Sequence, residues 1–417
     1  MLTGRRYLVR LTPDQAAYAD EVSGICRAVW NTGLDQRRQY RQRQAWINYP
    51  QQAKELVEAK RESELAWLAD APGHCLQQTL MDLDKACRAH GTWAVKFRGK
   101  SRWSPSFRFP EGNKILLQRL SKRWAQVNLP KFGQVRVRFT RELGGQIRSA
   151  TLTRDGVHGD WYVSLLVEDG IAGAVCDPTL PAVGIDRGVK VALALSDGQM
   201  LNQEFTSPAE QASIARLQQR AARQHGPRTP GTTGRGGRRA PSKRWLLTQA
   251  RIAKKLAAQQ RRRDDFTAKT ANTLTRGHSL IVLEDLKVKQ MTKKAAAKPD
   301  PAKPGVFLSN RAAQKSGLNR AILAKGWGKF LLALKHQARY TGTQIINVPP
   351  AYTSQRCHQC QYTSAENRES QAGFLCVKCH WAGNADYNAA KNILAVGLAA
   401  TGRISPGTSG SVNHQAA

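Results

Sequence analysis

Four cysteines near the C-terminus have the spacing of a metal site. They form two C-x2-C pairs separated by fifteen residues, and they are Cys357, Cys360, Cys376 and Cys379. Two such pairs typically close one tetrahedral Zn²⁺ site, and four thiolates fill its coordination shell. Because no position remains for water or substrate, the pattern predicts a structural rather than a catalytic Zn²⁺. The adjacent residues His358 and His380 are interpreted as spectators.

Three acidic residues stand where an apolar segment would be expected to continue. Asp186 follows Val183-Gly184-Ile185, Glu284 ends the apolar run 280–283, and Asp386 opens a helical pattern. Taken singly, each has an ordinary interpretation as a turn residue, a strand-end charge or a first-turn residue favoured by the helix dipole. Clustered carboxylates, however, cost free energy unless they are paired or bind metal. Together these three predict a catalytic site.

The chemistry that suits three carboxylates is phosphodiester hydrolysis. That reaction needs an activated water, a stabilised leaving oxygen and neutralised phosphate charge, which two metal ions about 4 Å apart supply. Hard oxygen ligands select Mg²⁺ or Mn²⁺ over zinc. Asp285 would point to the opposite face of its strand and is not assigned a role.

An α/β domain is predicted to position these carboxylates. Strands are expected near residues 182–186, 191–195, 280–284 and 344–348, with a hairpin after the first strand and a helical pair after the hairpin. An apolar strand ending in Asp, a later strand ending in Glu and a helix carrying Asp fit an RNase H-like sheet. Asp177-Pro178-Thr179-Leu180-Pro181 is interpreted as the linker before this domain.

The N-terminal part of the chain combines a helical segment with short strands. Thr12-Pro13-Asp14-Gln15 is typical of a helix start, and apolar spacing continues as helix to about residue 90 with a break at Pro72-Gly73. Residues 114–170 alternate apolar and polar residues between glycine-rich turns. This pattern, with a strand at 7–11, predicts a small β-barrel or sandwich that a helical module interrupts.

The charge balance indicates a nucleic-acid partner. The chain has 65 Lys and Arg against 30 Asp and Glu, a formal net charge of +35. Lys and Arg contacts to phosphates release condensed counterions, which makes binding strong and salt-dependent. No apolar run near 18 residues and no amphipathic anchor favours a membrane. Without a signal-peptide pattern, a soluble cytoplasmic protein is predicted.

Two segments could contact nucleic acid. Residues 93–109 interleave aromatic residues with cations, which suits base stacking and phosphate binding or, equally, a segment with its aromatic residues packed inward. A helix around Arg251–Arg263 carries a run of cations, which either forms a solvated face or lines a phosphate channel. The charge of the whole chain favours the channel.

In its motifs and their order the sequence resembles the TnpB nucleases encoded by bacterial insertion sequences, which are relatives of type V CRISPR effectors. The resemblance covers most of the chain, and besides the cysteine pairs its motifs lie at residues 26–31, 184–189, 281–286, 318–327, 348–355 and 384–390. One departure is the segment Gly226–Pro241, which is longer and richer in glycine than the basic turn of that family.

The resemblance implies a domain order and a set of roles. The implied fold is a RuvC-like nuclease domain with a four-cysteine zinc-ribbon insertion, preceded by a wedge β-barrel that a helical recognition domain interrupts. The implied ranges are wedge 1–12 and 109–176, recognition 13–108, RuvC-like 177–350 and 384–402, zinc ribbon 351–383 and a disordered tail 403–417. Asp186, Glu284 and Asp386 would be the catalytic carboxylates, and a guide RNA would pair with double-stranded target DNA beside a short motif.

Three other functions remain open at this point. A nuclease-inactive regulator would use only the zinc site and the basic surface, and a transposase would join DNA ends without RNA. A compact type V CRISPR effector would share the chemistry and differ in genomic context. A monomer associated with the bacterial nucleoid is favoured.

Overall fold

The computed structural model describes residues 1–100, 103–157, 159–225, 242–302, 305–370 and 372–402. It divides into two compact units, Met1–Ala172 and Gly173–Ala417. The predictions made for Gly226–Pro241 and for the tail 403–417 concern residues outside this description.

The first unit contains one antiparallel sheet. Its strands are β1 (Leu2–Arg10), β2 (Ser106–Phe109), β3 (Leu116–Arg119), β4 (Trp124–Leu129), β5 (Gly133–Arg138), β6 (Gln146–Arg154) and β7 (Trp161–Glu168). The order is β2-β6-β7-β1-β5-β4-β3. The period-two pattern of β7 buries Trp161, Val163, Leu165 and Val167 on one face. The N-terminal strand completes the sheet, as the sequence predicts.

The sheet is strongly curved. The rings of Phe107 and Phe109 in the end strand β2 lie 5.6 and 6.0 Å from the ring of Phe132, in the turn between β4 and β5 near the opposite end of the strand order. Such proximity requires the two ends of the sheet to approach one another. No pairing of β2 with β3 occurs in the described residues, so closure into a barrel is not confirmed.

Three helices and a 3-10 turn lie between β1 and β2. They are α1 (Pro13–Gln42), α2 (Tyr49–Ala59), the 3-10 turn Ser63–Ala69 and α3 (Gly73–His90). Thr12 and Gln15 form the predicted capping box at the start of α1. Pro72 immediately precedes α3, so the break predicted at Pro72-Gly73 is confirmed.

A second sheet carries the predicted α/β pattern. Its strands are β8 (Ala182–Asp186), β9 (Leu193–Leu195), β10 (Met200–Leu201), β11 (Leu280–Glu284) and β12 (Gln344–Val348). The order is β10-β9-β8-β11-β12, with β8, β11 and β12 mutually parallel and β9 antiparallel to both of its neighbours. The predicted strands therefore form, and β8 lies at the centre.

Helices cover both faces of this sheet, and a small hairpin follows it. The elements are α4 (Pro208–His225), α5 (Lys243–Gly277), α6 (Val288–Met291), α7 (Ala312–Lys325), α8 (Trp327–Thr341), the 3-10 turn Ala365–Asn367, β13 (Gly373–Leu375), β14 (Ala382–Asn384) and α9 (Ala385–Ala400). Ile281 and Leu283 of β11 pack with α5 and α8, whereas Leu280 and Val282 pack with α9. Among the described helices, none is both long and apolar enough to span a membrane.

Candidate functional site

Asp186 and Glu284 end two neighbouring parallel strands. Ile185 of β8 pairs with Leu283 of β11, so Asp186 and Glu284, the last residues of these strands, lie at the same level of the sheet. Side chains alternate between the faces of a sheet, and Gly184, two residues before Asp186, faces α9. Both carboxylates are therefore directed to the face that α9 covers.

Asp386 lies in the first turn of α9. The Asn384 side-chain oxygen caps this helix by accepting hydrogen bonds from the backbone N–H groups of Asp386 (2.9 Å) and Tyr387 (3.0 Å). Two glycines allow α9 to approach the sheet closely. A Cβ at Gly184 would lie 2.3 Å from a carbonyl oxygen of α9, and one at Gly397 would lie 2.3 Å from a methyl group of β11. Gly184 and Gly397 thus bring Asp386 near the strand ends.

The three carboxylates line one cavity of about 300 Å³. Burial, followed by the charges of Glu284 and Asp386, raises the pKa of Asp186 to about 7. Burial also raises the pKa values of Glu284 and Asp386. Negative charge is therefore concentrated where little water solvates it, and a divalent cation would stabilise the ionised forms. The donor set fits a metal that prefers hard oxygen ligands.

Glu284 is held by two residues that lie in the motifs 184–189 and 348–355 but were given no role from the sequence. The Thr353 hydroxyl donates a hydrogen bond of 2.6 Å to Glu284 Oε1, and the Arg187 guanidinium donates to the Glu284 backbone carbonyl. The Thr353 bond lowers the pKa of Glu284 and partly opposes the effect of burial. The Thr353 bond orients the carboxylate, and the Arg187 bond holds the backbone that carries it.

Several hydrogen-bond donors also line the cavity. They belong to Arg187, Lys190, Trp327 and Arg368. Within the described chain, Arg187 Nε and the indole Nε1 of Trp327 are buried and make no hydrogen bond. The charges of Arg368 and Lys190 lower the pKa of Asp386. Arg187 and Trp327 lie in segments already singled out as motifs, whereas nothing in the sequence marks Arg368.

The four predicted cysteines converge. Their sulfur atoms all lie within 4.8 Å of one another, with Cys357 and Cys379 3.7 Å apart and Cys360 and Cys376 3.5 Å apart. A tetrahedron with metal–sulfur bonds of about 2.3 Å has edges of about 3.8 Å, close to these separations. The cluster therefore fits a tetrahedral metal ion.

The two cysteine pairs lie in equivalent turns. The backbone N–H of Gln361 donates to the backbone carbonyl of Cys357, and that of His380 donates to the backbone carbonyl of Cys376. In each case the donor lies four residues after the first cysteine of the pair. Gln361 and His380 both have left-handed backbones, with φ of 62° and 59°. In the described part of the chain, neither His380 nor His358 belongs to the four-cysteine group.

Two buried asparagines of α9 connect it to the first cysteine turn. Asn388 Nδ2 donates to the Arg356 carbonyl (2.7 Å), and Asn388 Oδ1 accepts from the His358 N–H (2.9 Å). Asn392 Nδ2 donates to the carbonyls of Arg356 (2.6 Å) and Thr353 (2.9 Å). Asparagine is unfavourable inside a helix, so two of them among apolar residues were an available signal.

The segment 93–109 divides between its two interpretations. Trp93 and Phe97 are 59% and 45% exposed, whereas Phe107 and Phe109 are buried in the core of the first unit. The first half therefore leaves aromatic rings at the surface, and the second half uses them for packing.

Part of the basic helix α5 is engaged within the protein. Arg262 donates to both carboxylate oxygens of Glu210, at 2.8 and 2.6 Å. Arg263 donates to the carbonyls of Leu323 and Ala324 near the end of α7, each at 3.2 Å. These two arginines therefore stabilise the packing of helices. The sequence had favoured phosphate contacts for the cations of this helix.

Comparisons with known proteins point in one direction. Residues 327–393 match a family model described as Cas12f1-like, TNB domain. Residues 1–45 match a Helix-turn-helix domain model, although the structure forms β1 and the single helix α1 over these residues. The chain is 34% identical to the Putative RNA-guided DNA endonuclease InsQ of Escherichia coli (strain K12) over 90% of its length and 88% of the relative.

Two further similarities cover most of the chain. A Putative RNA-guided DNA endonuclease of Streptomyces pristinaespiralis is 27% identical over 95% of this chain and 89% of that protein. The solved Cas12f1-sgRNA-target DNA complex aligns with 92% of this chain and 83% of its own, at 12% identity and a TM-score of 0.55. The latter shows a shared, Cas12-like fold.

Proposed function

Because the chain belongs to the TnpB-like family of RNA-guided DNA endonucleases, we propose that it cuts target DNA under the direction of a guide RNA. The observation that carries the proposal is the set of three carboxylates lining one cavity, where Glu284 is buried, Asp186 and Asp386 are partly buried, and Asp186 is close enough to the other two for their charges to raise its pKa. The guide RNA would derive from the end of a transposable element, and the target would be double-stranded DNA in the bacterial cytoplasm, at the nucleoid.

Asp186, Glu284 and Asp386 would hold two Mg²⁺ or Mn²⁺ ions. When bound, such ions activate water and neutralise phosphate charge in phosphodiester hydrolysis. Thr353 orients Glu284 toward the cavity. Arg187 and Lys190, which line the cavity, would add positive charge opposite the phosphate groups of the DNA strand.

The sheet order supports a RuvC-like, RNase H-type assignment for the second unit. Numbered within the sheet, the strands run 3-2-1-4-5, with strand 2 antiparallel to its neighbours. The proposed domain is formed by residues 177–350 and 384–402. Residues 351–383 would be its Zn²⁺ ribbon.

In the first unit, the contacts of Phe107 and Phe109 with Phe132 indicate a curved sheet. This curvature favours a wedge barrel formed by residues 1–12 and 109–176. Residues 13–108 would be the helical recognition domain. β2 begins at Ser106, so the strand overlaps the end of this range. A monomeric enzyme is the simplest arrangement.

The test is to purify the protein from cells that carry its native flanking DNA and to sequence the copurifying RNA. The complex is then incubated with Mg²⁺ or Mn²⁺ and a plasmid library containing the matching target beside randomised bases. Guide-dependent cuts are expected, and Asp186→Ala should abolish them while RNA binding persists.

Asp285→Ala is the matched control, because Asp285 is the next carboxylate after Glu284 but pairs with Lys287 at 2.5 Å outside the cavity. It should cut normally. Bound RNA without cuts under either ion would contradict the nuclease proposal and favour a binding regulator, and cuts that survive Asp186→Ala would remove Asp186 from the mechanism.

A further inference from the structure

A second cavity, of about 280 Å³, lies within the first unit among the end of α1, the start of α2 and the end of α3. Its lining residues include Arg37, Arg41, Arg88, Asp84 and Trp46. Three cationic residues therefore line the cavity together with one acidic residue. Nothing in the carboxylate chemistry of the second unit accounts for this group.

The arginines are only partly satisfied by protein groups. Asp84 pairs with Arg37 Nη1 and with Arg88 Nε, each at 2.8 Å, and Arg37 Nε donates to the Gln52 side chain at 2.8 Å. Arg37 is 6% exposed, and its Nη2 has no hydrogen-bond partner in the described residues. A buried guanidinium N–H without an acceptor is unfavourable, and an anionic oxygen would satisfy it.

Trp46 adds an aromatic surface to the cavity. Its side chain is 72% exposed, and the Arg41 guanidinium stacks over the ring. An arginine held against one face of an indole leaves the remaining exposed surface suitable for stacking on a base. Phosphate-binding cations beside an exposed indole are the two groups that an unpaired nucleotide needs.

We infer that this cavity binds one unpaired nucleotide, with its phosphate at Arg37, Arg41 and Arg88 and its base on Trp46. The inference rests on the proposed function only in taking nucleic acid as the ligand. RNA and DNA share this chemistry, so the experiment has an arm for each.

The experiment uses the full-length protein, freed of RNA at high salt, and 5′-phosphorylated tetranucleotides of uridine and of thymidine as probes. Affinities are measured by calorimetry at several salt concentrations. Trp46→Leu should weaken binding of the preferred probe at least about fivefold, and Trp46→Phe should retain most of it. A plot of log affinity against log salt concentration should become less steep for Arg41→Gln, by the amount that corresponds to about one lost phosphate contact.

Trp67→Leu and Arg61→Gln are the matched controls, since Trp67 is a 42% exposed indole outside this cavity and Arg61 is an exposed cation of the same unit. Both should bind the probes like the wild type. The melting temperature of every variant is measured as well, and only variants that melt like the wild type are compared. If Trp46→Leu and Arg41→Gln bind like these controls, the arginines form only an internal ion-pair cluster and the inference is overturned.

Cleavage plays no part in this measurement. An enzyme that cuts guided DNA while its Trp46 and Arg41 variants bind like the controls would refute the nucleotide site alone. A protein that never cuts but shows the expected losses would retain the site and lose the proposed function.

Discussion

Gly184→Ala tests whether the close approach of α9 to β8 positions Asp386. A Cβ at Gly184 would lie 2.3 Å from the Ala390 carbonyl oxygen and 2.6 Å from the Leu394 nitrogen, both in the main chain of α9. Ordinary contacts of a Cβ begin at 3.4 Å, so the difference between 3.4 and 2.3 Å requires a shift of about 1.1 Å. Main-chain atoms cannot rotate away, so the helix itself must move.

The expected loss of activity exceeds the expected loss of stability. Overpacking of this kind costs about 1–3 kcal/mol, which would lower Tm by about 2–12 °C in a unit of this size. Asp386 lies one turn before Ala390, so its carboxylate moves with the helix. A misplacement of about 1 Å can reduce a rate by about 100-fold. Guided cleavage should fall by that factor while RNA binding is unchanged.

The assay compares single-turnover cleavage and thermal melting of Gly184→Ala with those of Gly328→Ala. A Cβ at Gly328, in the first turn of α8, would meet nothing within 4 Å, so this control should cut and melt like the wild type or melt slightly higher. If Gly184→Ala also cuts at the wild-type rate with an unchanged Tm, the helix is not held by this contact and the positioning argument fails.

Four further outcomes are expected. Thr353→Val should lower cleavage by about 10–100-fold through loss of the hydrogen bond to Glu284, and Thr353→Ser should restore it, as timed cleavage would show. Cys357→Ser should remove bound zinc by elemental analysis and, at a cost of about 2 kcal/mol or more, lower Tm by at least about 4–8 °C; an unchanged metal content would contradict the cluster assignment. Burial raises the pKa of Cys26 to about 11 and that of Cys75 in the same direction, so both should resist thiol reagents at pH 8 until the protein unfolds. Because these thiols stay protonated to a higher pH in the folded state than in the unfolded state, the free energy of unfolding should also fall as pH rises above about 9.

Elements that depend on local pattern could be predicted from the sequence. The apolar run ending at Glu284 forms the fully buried strand β11, and Thr12 caps α1 as its spacing indicates. The convergence of the four cysteines could be predicted because two C-x2-C turns at this spacing are typical of one tetrahedral metal site. In each case the information lies within a few residues of the element itself.

Contacts between distant segments could not be predicted in the same way. The basic run in α5 gave no sign that Arg262 would meet Glu210, because that pairing depends on how α4 and α5 pack. The glycine at position 184 could be interpreted as part of a motif, but the reason for it, the main chain of α9 against its Cα, appears only in the folded sheet.

The buried amides of α9 suggest why a group of four cysteines, which would leave a bound metal ion no open coordination position, lies beside a cavity of carboxylates. Asn388 and Asn392 bind the backbone of residues 353–358, which begins at the threonine that holds Glu284 and ends beside Cys357. The first turn of the same helix carries Asp386. Folding of the first cysteine turn therefore fixes the backbone to which Asn388 and Asn392 of α9 are hydrogen-bonded. It also fixes the Thr353 hydroxyl that orients Glu284. Loss of the cluster should consequently disturb two carboxylates at once, even though no cysteine lines their cavity.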